Sequence, residues 1–191
     1  MRALIVALTT ISWLSTAVLG AEGFDVRGAV RTNGRPQPNT VVWLDAPSAP
    51  PSTAKKVILD QRNLSFSPRV LAVRVGTSVE FPTNARVFHN VFSFRDGRVF
   101  DLGLYPVGTV KYVTFDKPGL SRLFCNIHPN MAAYILAVDS PYFAVADELG
   151  AFVIREVPAA KYAYRTWRPG GEIEAGAVTV ERNSELKIER P

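Results

Sequence analysis

The sequence is poor in sulfur and imidazole side chains. Its 191 residues include one cysteine, two histidines and two methionines, and one of the methionines is Met1. The lone Cys125 therefore has no partner for a disulfide within the chain. Once the N-terminal apolar stretch is set aside, one thiol, one thioether and two imidazoles remain. This scarcity excludes metal centres that need many histidines, and it makes the positions of the few soft donors informative.

Long apolar runs are also missing. One apolar stretch begins after Arg2 and ends in small residues before the chain turns polar at Glu22. It is short and interrupted for a membrane span, so residues 1–21 are interpreted as a signal peptide, with an uncleaved anchor as the alternative. No later segment is apolar enough to span a bilayer. The sequence therefore predicts an exported protein, for example a periplasmic one, with no stable membrane insertion after signal cleavage.

Clusters of like charge are absent as well. Lysine and arginine number 22 and aspartate and glutamate 17, which gives a formal net charge of +5. The cations are scattered singly and form no basic run that could follow a phosphate backbone, so nucleic acid is not an expected partner. A mildly basic surface instead favours encounter with an acidic protein, an effect on association rate that salt screens.

The pattern along the chain after residue 22 predicts an all-β protein. Short stretches rich in valine, phenylalanine, tyrosine and isoleucine alternate with turn signals, and no long segment has helical periodicity. The predicted strands are 24–31, 40–45, 70–75, 78–81, 87–94, 110–115, 121–124, 133–138, 142–147, 149–154 and 157–162. Residues 98–108 are predicted to be a connection. Residues 46–53 are rich in proline and serine and are predicted to be a linker.

The soft donors follow a particular order. Cys125, His128 and Met131 lie within seven residues, and the other histidine, His89, precedes Asn90 in a predicted strand. Two histidines, a thiolate and a weak axial methionine are the ligands of a blue-copper site. Taken singly, each residue has a plainer interpretation, a solvated histidine or a small buried cysteine. Together they favour a metal site, and ligation also accounts for an unpaired cysteine in an exported chain.

These motifs resemble the cupredoxin family, the type 1 copper proteins that include plastocyanin and amicyanin, and are similar to methylamine utilization protein-type cupredoxins. The resemblance covers residues 60–139 and implies a Greek-key β-sandwich. It implies that His89, Cys125 and His128 hold one type 1 copper ion in a plane, with Met131 as the long axial ligand. It also implies that Asn90 joins the two ligand-bearing segments by hydrogen bonds.

The resemblance further implies a path for electrons. The second loop histidine of the family lies at the surface in an apolar patch, and here that docking patch would comprise His128, Pro129 and Ala132. The apolar shell of the copper ion is expected to come from nearby hydrophobic residues, namely Val87, Phe88, Phe92, Phe124 and Ile127.

The expected function is a soluble one-electron carrier that serves a redox protein such as a c-type cytochrome or a dehydrogenase. It is not expected to be an enzyme, because Met131 would fill the axial position and leave little room for a substrate. Multicopper oxidases and copper nitrite reductases need more histidines than the chain has, and a dinuclear electron-transfer centre needs a second cysteine. Two alternatives remain open: a periplasmic copper-binding or carrier protein without redox cycling, and a structural domain whose copper loop has decayed.

The chain ends are similar to the two halves of a carboxypeptidase regulatory-like, transthyretin-like sandwich. The first half carries Asn33-Gly34 and a following valine-rich strand, and the second carries the strands after residue 141. This predicts a copper-binding domain, 58–140, inserted into a host sandwich made of 22–57 and 141–191. Lys161 stands where that family has glycine. The alternative is a cupredoxin with appended edge strands.

Overall fold

The computed structural model describes residues 22–47, 56–94 and 96–190. All regular secondary structure in these ranges is β-strand, so the all-β prediction is confirmed. Within them, no helix has the length and the apolar character that crossing a membrane would require. The predicted signal peptide and most of the predicted linker lie outside the described residues.

Eighteen strands follow one another along the described chain. They are β1 (Gly23–Thr32), β2 (Arg35–Pro36), β3 (Val41–Leu44), β4 (Val57–Ile58), β5 (Asp60–Arg62), β6 (Ser65–Ser67), β7 (Val70–Arg74), β8 (Thr77–Pro82), β9 (His89–Ser93), β10 (Phe100–Tyr105), β11 (Val110–Phe115), β12 (Gly119–Phe124), β13 (Ala132–Val138), β14 (Phe143–Val145), β15 (Ala151–Pro158), β16 (Ala160–Trp167), β17 (Glu174–Val180) and β18 (Ser184–Arg190). We call β4–β13 the central strands and the remainder the flanking strands.

The central strands form a two-sheet sandwich. One sheet has the order β10-β9-β12-β13-β7, the other has the order β11-β8-β4, and β5 and β6 form a separate hairpin. Alternate residues of each strand enter a shared apolar core, because successive side chains of a strand point to opposite faces. In β11, for example, Val113 and Phe115 are buried while Tyr112 and Thr114 are exposed.

The flanking strands form a second, smaller sandwich with a core of its own. Its sheets have the orders β15-β1-β18, with β2 added to β1, and β14-β3-β16-β17. Val26 and Ile154 enter this core from the first sheet, and Leu44 and Val180 enter it from the second. Each of these sheets combines strands from before residue 45 with strands from after residue 142.

The two sandwiches pack against each other through the outer face of β7 and β13, which pair in parallel. The apolar side chains that join them are Val41, Trp43, Val70, Ala72, Leu136, Val138 and Trp167. The Tyr134 and Trp167 rings lie 5.3 Å apart across this contact. Val57 and Pro141 line one cavity of about 280 Å³. The division into an inserted domain and a host stays a prediction.

Two predicted segments differ from the structure. Residues 98–108, predicted to be a connection, contain strand β10, whose register against β9 shifts between Asp101 and Leu104. This bulge breaks the alternation of side chains, so the sequence pattern of a strand is lost. The predicted strand 157–162 is divided between two strands, since β15 ends at Pro158 and β16 begins at Ala160.

Candidate metal centre

Two elements carry the predicted ligands. His89 is the first residue of β9, and Cys125, His128 and Met131 lie in the loop between β12 and β13. Strand β9 pairs with β12 at Phe92 and Phe124, so the start of β9 lies beside the loop that follows β12. The antiparallel pairing therefore brings together residues that are 36 positions apart in the chain.

The two imidazoles converge on one sulfur atom. The Sγ atom of Cys125 lies 3.9 Å from Nδ1 of His89 and 3.5 Å from Nδ1 of His128. The two rings are tilted by 54°, with their centroids 4.7 Å apart. One ligand atom from each of the three residues lies within 4.8 Å of the others.

These separations suit a shared metal ion. Two ligand atoms that each lie about 2.0 to 2.3 Å from a metal, roughly 120° apart, are separated by about 3.5 to 4 Å. The measured sulfur-to-nitrogen distances of 3.5 and 3.9 Å fall in this range. A thiol with two imidazoles is also a donor set that suits copper or zinc. The three side chains therefore fit a metal ion.

Met131 completes the candidate site. Its side chain is 1% exposed and lies in the same buried cluster as Cys125. Its backbone N–H donates a 2.9 Å hydrogen bond to the carbonyl oxygen of His128. That bond closes a turn from His128 to Met131, so the loop returns the thioether to the core while His128 stays partly exposed. His89, Cys125, His128 and Met131 thus form one candidate metal site.

Burial favours the metal-binding form of His89. His89 is fully buried and Cys125 is 4% exposed. Burial, together with the nearby His128, lowers the pKa of His89 below its ordinary value. The imidazole is therefore neutral at neutral pH, which is the form that binds a metal.

Asn90 connects the two segments that carry the candidate ligands. Its side chain is 1% exposed, and its Oδ1 atom accepts a 2.9 Å hydrogen bond from the backbone N–H of Asn126, the residue after Cys125. Its Nδ2 atom donates to Oδ1 of Asp101 at 3.3 Å. Strand β9 and the loop after β12 are therefore joined one residue away from His89 and one residue away from Cys125.

Tyr105 is a buried neighbour that the sequence analysis missed. It pairs with His89 across β10 and β9, so both side chains point to the same face. Its hydroxyl accepts a hydrogen bond from the Gln61 side chain and donates to the carbonyl oxygen of Phe81. Burial raises the pKa of Tyr105 to about 12, so the hydroxyl stays protonated and keeps this donor role.

The predicted apolar shell is wrong in three positions. Val87, Phe88 and Ile127 are 47%, 55% and 49% exposed and do not enter the core around the ligands. Phe92 and Phe124 are partly buried and face each other at 5.9 Å on the outer side of the sheet. The core that contains Cys125 and Met131 is instead formed by other side chains, among them Phe81, Val91, Tyr105, Phe115, Leu123 and Ile135.

Of the three residues predicted to form a docking patch, His128 and Pro129 lie in the loop between β12 and β13, and Ala132 is the first residue of β13. His128 and Ala132 are partly buried, and Pro129 is exposed. Ile127, on the other side of His128, is also exposed. Pro129 is therefore accessible at the surface, and His128 is accessible in part.

No family model and no curated protein matches the chain. Solved structures do resemble it. A purple cupredoxin from Nitrosopumilus maritimus is 23% identical over 44% of this chain and 100% of its own, with a TM-score of 0.39. A reduced mutant of amicyanin is 18% identical over 51% of this chain and 98% of its own, with a TM-score of 0.42. A copper-containing nitrite reductase from Thermus scotoductus is 26% identical over 58% of this chain but only 28% of its own, with a TM-score of 0.44.

Proposed function

We propose that His89, Cys125, His128 and Met131 bind one copper ion as a type 1 centre in a cupredoxin domain, and that the protein carries single electrons between redox proteins. The observation that carries this proposal is the approach of two Nδ1 atoms, at 3.9 and 3.5 Å, to one buried thiol sulfur. Copper, when bound, supplies a one-electron couple, and its potential depends on the axial ligand and on the hydrogen bonds and apolar groups around the sulfur.

The chain supplies a rigid holder for such an ion. His89 is fixed in a strand that pairs on both sides, with β10 and β12. The loop ligands are held by the hydrogen bond from Asn126 to Asn90 and by the turn from His128 to Met131. Ligands that are held before the metal arrives need little movement when its charge changes, which suits fast electron transfer.

Three of the four proposed ligands are shielded from water, and one reaches the surface. His89, Cys125 and Met131 are buried, whereas His128 is partly exposed beside the exposed Pro129. An electron would therefore leave and enter through His128, and the docking patch would be His128, Pro129 and Ala132. The proposed partners are a c-type cytochrome or a dehydrogenase, met through a small and transient interface.

We propose that the protein is not an enzyme, because Met131, buried in the same core as Cys125, would occupy the position that a substrate needs. We also propose that it is exported to the periplasm, on the strength of the N-terminal sequence.

The direct test of the copper proposal is reconstitution of the purified protein with copper(II). An intense visible band and reversible one-electron voltammetry are expected. Failure of the protein to bind copper would remove the proposal.

Met131→Leu tests the axial assignment. The variant is expected to retain copper and to have a higher reduction potential, because a weak electron-donating thioether is lost while three strong ligands remain. The two side chains are similar in size, so the free energy of unfolding of the metal-free protein should fall by less than about 1.5 kcal/mol. Voltammetry and denaturant titration measure the two effects. Complete loss of copper would mean that Met131 does more than fill the axial position.

Pro129→Glu tests the docking patch. A carboxylate beside His128 should slow electron exchange with an acidic partner about tenfold at low salt, and the effect should shrink as salt is added. The visible spectrum should stay nearly unchanged. Pro118→Glu is the matched control, since Pro118 is an exposed proline just before the opposite end of β12.

Equal slowing by both substitutions would show that net charge, rather than the docking patch, governs exchange. Stopped-flow mixing measures these exchange rates, and it also separates a carrier from a copper store. If the reduced protein transfers its copper to a chelator faster than it transfers an electron to a small cytochrome c, the binding-protein alternative replaces the carrier.

A further inference from the structure

The carboxylate of Asp101 lies in the bulge of β10, next to the link between the two ligand-bearing segments. Oδ1 of Asp101 accepts a 2.8 Å hydrogen bond from the backbone N–H of Gly103 and a 3.3 Å hydrogen bond from Nδ2 of Asn90. Gly103 has a φ of +63°, a left-handed conformation that favours glycine. The bulge therefore directs the Asp101 carboxylate at the Asn90 amide.

The Asn90 side chain can occupy its site in two orientations that differ by exchange of its oxygen and nitrogen. In the observed orientation, Oδ1 faces the N–H of Asn126 and Nδ2 faces Asp101. The reversed orientation would place the amide NH₂ against the Asn126 N–H and the amide oxygen against a carboxylate. Both hydrogen bonds would become repulsive contacts, at a residue that is itself only 1% exposed.

A carboxylate is well suited to make this choice, because its two oxygens only accept hydrogen bonds when it is ionised. Without Asp101, the Nδ2 atom of Asn90 would lose the carboxylate acceptor that distinguishes the two orientations. The Asn126 N–H would then be a weaker anchor for the segment that begins at Cys125.

We propose that Asp101 is a positioning residue of the metal centre: it orients the Asn90 amide, which in turn holds the backbone next to Cys125. The significance of this role rests on the proposed copper function. The two hydrogen bonds, from Asn90 to Asp101 and from Asn126 to Asn90, are a property of the metal-free chain. Asp101 does not touch a ligand. It acts through Asn90 and Asn126.

The structure offers a matched control for the loss of charge. Asp116, in the same sandwich, forms an exposed ion pair with Arg98 at 3.4 Å. Asp116→Asn removes one negative charge from the same sandwich without touching Asn90, so any effect that it shares with the Asp101 variants comes from net charge.

The test is hydrogen exchange of backbone amides, measured by NMR on the full-length metal-free protein. In the wild type, the Asn126 amide should be protected, because its N–H is bonded to a buried side chain. Asp101→Ala should speed its exchange about five- to tenfold, the effect of losing one hydrogen bond. Asp101→Asn should stay within about twofold of the wild type, because its side-chain oxygen can still accept from Asn90. Asp116→Asn should have no effect.

An unprotected Asn126 amide in the wild type would overturn the proposal even if Asp101→Ala failed to fold. Unchanged exchange in a folded Asp101→Ala would also overturn it. On the copper-loaded proteins, Asp101→Ala should shift the reduction potential, while Asp101→Asn and Asp116→Asn should leave it near the wild-type value. Because exchange is measured without metal, failure to bind copper would refute the proposed function and leave the positioning result intact.

Discussion

Cys125→Ser is expected to abolish the thiolate-to-copper absorption band while the protein stays folded. Cys125 is the one thiol in the chain, and its sulfur lies within 4 Å of both imidazole Nδ1 atoms. A serine hydroxyl is a hard donor that stays protonated at neutral pH, so it cannot supply the sulfur orbital from which the transition arises. The substitution changes volume little, and the loss in unfolding free energy should be on the order of 1 kcal/mol.

The visible spectrum of copper-reconstituted protein measures the first effect, and thermal unfolding of the metal-free protein measures the second. Asn130→Ser is the matched control, because Asn130 is an exposed residue of the same loop and supplies no soft donor. It should keep the full band. An intense band in Cys125→Ser, or an equal loss in the control, would rule out Cys125 as the thiolate ligand.

The strands of the central sandwich could largely be predicted because alternation along a strand is a local property. Residues 110–115 alternate, and the structure has strand β11 with the same bounds. Turn signals are local as well. In the flanking sandwich, Asn33 and Gly34 join β1 to β2 with φ values of +50° and +72°, the left-handed pair that this dipeptide favours in a hairpin.

The burial of both faces of strand β7 could not be predicted in the same way. Alternation along the predicted strand 70–75 points Leu71, Val73 and Val75 to one face, and they do pack on the core of the central sandwich. The opposite face of β7 is buried as well, because Trp43 and Trp167 cover it. These tryptophans come from opposite ends of the sequence, so this contact leaves no local pattern in β7.

Some residues of the candidate site could likewise be predicted from the sequence, and others could not. The clustering of the candidate metal donors could be predicted because the chain has so few soft and imidazole side chains. Asp101 and Tyr105 were missed because their relation to Asn90 and His89 depends on the register of β10 against β9, and a bulge lies between them. A carboxylate or a tyrosine in a predicted connection gives no signal of such a pairing.

The contact between the two sandwiches leads to the second large expected effect. The predicted domain 58–140 would cut strand β4, so the fragment to express is 56–140. Alone, it would expose the face that carries Val70, Ala72, Leu136 and Val138, each at most 9% exposed in the whole chain. A contiguous apolar face on an isolated domain favours self-association. We therefore expect this fragment to associate or aggregate at micromolar concentration, as measured by light scattering after size exclusion.

Leu136→Thr should have opposite effects in the two contexts. In the whole chain, it creates a cavity beside the tryptophans and buries a hydroxyl, so the free energy of unfolding should fall by about 2 to 3 kcal/mol. In the fragment, the same position faces water, and threonine should reduce association without loss of folding. Lys117→Thr is the control, since Lys117 is exposed and lies outside the contact.

Leu136→Thr is thus expected to harm the whole chain and to help the fragment. This contrast distinguishes an inserted domain from a cupredoxin with appended edge strands. If the central strands are a domain that is only covered by its host, the Leu136→Thr fragment should fold as a monomer and bind copper with the same spectrum as the whole protein. The candidate site supports this expectation, because all four candidate ligands and the Asn90 link come from the central strands and the loop between β12 and β13. If the threonine fragment stays unfolded, the flanking strands are part of the fold of the central sandwich, and the inserted-domain division is wrong.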